Sequence, residues 1–124
     1  MLRALMIASG TFEALFGLSA LIAPNMLIAA LGTEPSAGAV TLARILGAAT
    51  LGLGIAALLA RDALNSTGGL AAACGLGLYN VLAAGFILWP AAMAGTGGAM
   101  LLGAGLIHAV LGVLLIYALA RAGR

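Results

Sequence analysis

Charge is scarce in this 124-residue chain: Asp, Glu, Lys and Arg together make up 6% of it. Soluble domains average about 25% charged residues, so these side chains cannot build a soluble surface. Lysine is absent, the basic residues are all arginine, and a dispersed net charge of +2 excludes a nucleic-acid-binding patch. A single cysteine, Cys74, excludes an intrachain disulfide, a CxxC redox pair and a cysteine-based metal site. Within an apolar, Gly-rich run it reads as a buried packing thiol. A single histidine, His108, excludes bis-His haem ligation and a His-rich metal centre within one chain. No nucleophile–base–acid arrangement and no phosphate loop occurs. The sequence therefore offers no catalytic residue, points away from an enzyme and leaves the cofactor unknown.

What is present is apolar: 65% of the residues are hydrophobic. They fall into runs over about residues 3–23, 37–59, 68–88 and 99–120, each close to the length of about 20 residues that crosses a bilayer. The expected fold is an all-α, integral membrane four-helix transmembrane bundle forming a single domain. Pro24 ends the first run, because its ring and missing N–H stop a helix. The short piece after it, from Asn25 to Leu31, is expected as an interfacial helix. Asn65-Ser66-Thr67 reads as a cap before the third span, and Trp89-Pro90 as its close. Gly95-Thr96-Gly97-Gly98 reads as the last turn. Glu13 inside the first run argues for a retained span rather than a cleaved leader. Four crossings put Arg3, Arg61, Arg121 and Arg124 on one side, opposite Glu34. By the positive-inside rule both termini are expected in the cytoplasm, with the protein in a bacterial inner membrane.

Small residues recur at four-residue spacing, as in Gly10/Ala14, Ala48/Gly52, Ala71/Gly75 and Ala99/Gly103, the pattern by which membrane helices approach closely. Each span also holds a charged or strongly polar residue beside small ones: Glu13, Arg44, Asn80 and His108. At 1.5 Å rise per residue they stand about 15, 25, 24 and 20 Å above the arginine side. A charge at the centre of a span costs roughly 2.5–3.5 kcal/mol on insertion scales, so it has a partner or a role. A Glu13–Arg44 pair is expected, joining the first two spans. The four residues together are the candidate ligand-binding set, with Phe12, Phe16 and Tyr79 as aromatic walls. Two ligands are too few for a metal site. A faint parallel repeat sets Phe12-Glu13 against Tyr79-Asn80 and Arg44 against His108.

Ala43 to Arg61, ARILGAATLGLGIAALLAR, resembles the second span of DoxX-like small bacterial four-helix proteins and related families of unknown function. The Arg44-Ile45-Leu46-Gly47 and Gly52-Leu53-Gly54 groups carry the resemblance, with Pro24 closing the first span. It implies an accessory or structural subunit of an inner-membrane complex linked to quinone redox chemistry. Expected partners are the lipid bilayer and a membrane protein or a second copy of the chain. The alternative expectation is a binding protein or small transporter for a quinone-like molecule, using the intramembrane polar set.

Overall fold

A computed structural model describes residues 1–94 and 98–122; the expected turn at Gly95-Thr96-Gly97, and Arg124, lie outside the described residues. The chain is all-helical, with α1 at Leu2–Ile22, α2 at Pro24–Ala30, α3 at Ala37–Ala60, α4 at Thr67–Ala94 and α5 at Ala99–Ala122. Four of them, all but α2, are long and apolar enough to cross a membrane. The chain is a multi-pass membrane protein whose helices form a four-helix bundle with a short helix after the first span.

Local chemistry sets the boundaries. α1 ends at Ala23, and Pro24 takes the first position of α2, where its missing N–H costs nothing. α2 closes at Gly32, φ +86°, with Gly32 N–H bonded to the Ala29 carbonyl and Thr33 N–H to the Ile28 carbonyl. Those two bonds form the Schellman arrangement, which needs a left-handed residue and so favours glycine. Ser36 Oγ accepts from Ala39 N–H at 3.2 Å to cap α3. Ser66 Oγ accepts from Gly69 N–H at 3.0 Å to start α4, within the expected cap cluster. One boundary differs from the expectation: α4 runs through Pro90 to Ala94 instead of closing at Trp89-Pro90. Proline in a helix removes one N–H, and membrane helices tolerate that loss where neighbouring bonds persist.

Helices α1 and α3 pack most closely, then α4 with α5. Both pairs are antiparallel. A Cβ on Gly17 would lie 2.5 Å from the Gly47 carbonyl oxygen, and one on Gly54 would lie 2.5 Å from the Gly10 carbonyl oxygen. Backbone therefore touches backbone at two heights, seven residues apart on each helix. Gly112 meets Val81 and Gly105 meets Ile87 and Leu88 in the second pair. The small residues at four-residue spacing divide: Gly10 and Ala14 both meet Gly54 of α3, and Gly47 meets Gly17 and Ala20 of α1, while other members touch no neighbour. Gly52, Gly75 and Gly103 meet nothing within 4 Å. Cys74, expected inside, is exposed on α4.

The sealed apolar core, Met6, Ala57, Ala73, Leu76 and Leu115, fills one half of the bundle, at the end holding Arg3 and Arg61. There Arg3 Nε lies 2.5 Å from Asp62 Oδ1 and Arg61 Nε lies 3.3 Å from Asp62 Oδ2, both pairs exposed. Arg3 beside it, hydrogen-bonded, holds the Asp62 carboxyl below the usual carboxylate range. At the end of α5, Arg121 lies over the Tyr117 ring, 4.9 Å from its centroid.

Candidate ligand site

The polar residues of the spans sit where the sealed half of the bundle ends. Ser9, Glu13 and Asn80 are fully buried and His108 nearly so. Asn80 joins three helices. Its Nδ2 donates to the Leu76 carbonyl of its own helix at 2.9 Å and to Ser9 Oγ of α1 at 3.0 Å. Its Oδ1 lies 3.0 Å from His108 Nδ1 of α5. The same His108 nitrogen is 3.5 Å from Glu13 Oε1. The imidazole is held edge to face by Phe12, at a centroid distance of 5.3 Å, and by Tyr79, at 5.6 Å. The Tyr79 hydroxyl reaches toward the Glu13 carboxyl, short of good hydrogen-bond geometry. Both Glu13 oxygens are buried without such a bond.

Three of the four expected residues, Glu13, Asn80 and His108, thus meet in one cluster. Arg44 does not join them. It is exposed, and no ion pair to Glu13 forms among the described residues. The reason is helical phase. The buried stripe of α3 is Gly47, Thr50, Gly54 and Ala57, and Arg44 stands off its centre. Arg44 is also about 10 Å from the Ala37 end at 1.5 Å per residue, so its long side chain can reach the interface along apolar surface.

The buried polar residue of α3 is Thr50, whose Oγ1 donates to the Leu46 carbonyl at 3.0 Å and packs where a Cβ on Gly17 would stand. Sequence reasoning missed it, although a signal was available. Glu13 stands three residues after Gly10 and four before Gly17. Thr50 stands so between Gly47 and Gly54, and His108 between Gly105 and Gly112. Asn80 stands so between Gly77 and Ala84. That register, rather than polarity alone, marks the inward positions. Ser9 was missed because a serine in an apolar run carries no signal until its partner, Asn80, is placed.

Beyond the cluster, away from the sealed core, the bundle opens into a cavity of about 460 Å³. Phe12, Phe16, Tyr79, Phe86 and His108 line it, with Leu31 and Leu101 farther along. The aromatic walls expected at Phe12, Phe16 and Tyr79 are there. Drug-sized ligand pockets measure about 300–1,000 Å³ and combine apolar walls with a few placed polar groups. A shallower groove runs along α4 by Val81, Gly85 and Trp89 and includes none of the Glu13, Asn80 and His108 cluster. Among the described residues no three His, Cys, Asp or Glu side chains converge, so Glu13 and His108 stand as a pair.

Comparison with known proteins found no matching family model, no matching curated protein and no matching solved structure.

Proposed function

We propose that the protein binds a small, lipid-soluble ring compound of the quinone–hydroquinone class within the membrane. The observation that carries this reading is the cavity of about 460 Å³ with aromatic walls and His108 at its polar end. Apolar contact with the rings supplies affinity and His108 supplies orientation. A ligand partitioned into lipid enters between helices without crossing water. Arg44 is exposed and is not among the residues that line the cavity.

The test is ligand-dependent thermal stabilisation in lipid nanodiscs. Lipophilic ring compounds should raise the midpoint of the wild type, and Ala104→Phe, which fills the cavity, should abolish the rise without loss of fold. Absence of any rise, or an unchanged rise in Ala104→Phe, would contradict the reading.

An accessory role beside a quinone-linked membrane complex is a second proposal, supported by the sparse charge and the DoxX-like second span; co-purification after gentle solubilisation tests it. We further place both termini in the cytoplasm of a bacterial cell, supported by Arg3, Arg61 and Arg121 at one end of the bundle.

A further inference from the structure

His108 is the one cavity-lining group whose hydrogen-bonding character is fixed by its neighbours. The chain of assignments starts at Leu76. Asn80 Nδ2 lies 2.9 Å from the Leu76 carbonyl oxygen, and only an N–H can face a carbonyl so closely. The amide is therefore oriented with Nδ2 toward Leu76 and Ser9, and Oδ1 toward α5. Oδ1 is an acceptor, so His108 Nδ1, 3.0 Å away, carries hydrogen. Glu13 Oε1 lies 3.5 Å from the same nitrogen without a hydrogen bond to it, on the same edge of the ring.

A neutral imidazole protonated at Nδ1 has its lone pair at Nε2. Nε2 has no hydrogen-bond partner among the described residues, and it is not sealed as the two Glu13 oxygens are. His108 lines the cavity, and its Nδ1 is committed to Asn80 Oδ1, with the Glu13 carboxyl beside that edge. Nε2 is thus the nitrogen left for a ligand, and it is an acceptor.

Resting on the reading of this cavity as a ligand site, we propose that it selects ring compounds bearing a hydroxyl, whose O–H donates to His108 Nε2. Phenols and hydroquinones are the class. The corresponding quinone or ketone places a carbonyl lone pair against the nitrogen lone pair, and an ether brings no proton. Phe12 and Tyr79 hold the imidazole edge to face, and Glu13 and Asn80 act as positioning residues that keep the Nδ1–H tautomer.

The test compares para-hexylphenol with its methyl ether, by equilibrium binding to the full chain in lipid nanodiscs. The wild type should bind the phenol about tenfold more tightly, the equivalent of one net hydrogen bond. His108→Phe keeps the ring packing and should bind both compounds alike. Equal affinities in the wild type, or a preference surviving in His108→Phe, would overturn the hydroxyl assignment and leave the cavity reading standing. Failure of both compounds to bind the wild type saturably would overturn both. The wild-type arm stands without the variant: a methyl ketone of the same shape binding more tightly than the phenol would also overturn the assignment.

Discussion

His108 Nδ1 stands 3.0 Å from Asn80 Oδ1 and 3.5 Å from Glu13 Oε1, so one ring nitrogen of α5 ties together α4 and α1. A buried carboxyl in a membrane helix is costly unless it is partnered. Here its neighbour is an imidazole from the opposite helix pair rather than an arginine from the adjacent span.

The network through Asn80 should behave as a unit. Interhelical hydrogen bonds in membranes average about 0.6 kcal/mol and reach about 1.7. Asn80→Ala, which removes the bonds to both Ser9 and His108, should cost about 1–2 kcal/mol of bundle stability. Adding Ser9→Ala to it should cost almost nothing more, because the two residues share one bond. Reversible unfolding in mixed micelles reads both values; fully additive losses would mean that the bond is not formed.

Arg44→Gln should change stability by less than about 0.5 kcal/mol, as substitutions outside buried features do. Combined with Glu13→Gln, its effect should simply add. A strong coupling between the two would restore the ion pair that the exposed position of Arg44 excludes.

The glycines divide by what they face. Gly17→Ala puts a methyl 2.5 Å from backbone atoms of Gly47 and Leu51, forcing α1 from α3, and should cost about 1–3 kcal/mol. Gly52→Ala and Gly75→Ala meet open space and should be neutral or stabilise by about 0.5–1 kcal/mol, since alanine is the better helix former. The same unfolding assay separates the two groups.

Much of this architecture was legible in the chain because its causes are local. Run length gave the spans, Pro24 the break, and Ser66 the start of α4. Glu13, Asn80 and His108 could be placed inward because each lies between small residues at a fixed register. Arg44 was misplaced because polarity was given more weight than phase: Gly47, Thr50, Gly54 and Ala57 define the buried stripe, and Arg44 stands off it. The cavity was not legible beyond its aromatic walls. Empty space depends on how far apart the two helix pairs stand, and that is set jointly by contacts such as Gly10–Gly54 and Gly105–Leu88.

Asp62 gives a pH signature outside the membrane. Its carboxyl is held below the usual range by Arg3, so the folded state binds its proton less readily than the unfolded chain does. The contribution is fully present at neutral pH and is lost only as pH falls below about 3.9, the ordinary aspartate value. Asp62→Asn should therefore be less stable than the wild type at pH 7, with the gap closing in strong acid. An equal gap at both pH values would contradict the ion pair as its source.

The most direct test of the ligand site is the nitrogen-15 spectrum of His108 in lipid nanodiscs, recorded with and without para-hexylphenol. The expected result is a protonated Nδ1 in both spectra and an Nε2 whose lone-pair signal shifts when the phenol is added. A protonated Nε2 in the free protein, or an Nε2 signal indifferent to saturating phenol, would contradict the Asn80–His108–Glu13 arrangement as the polar end of a ligand cavity.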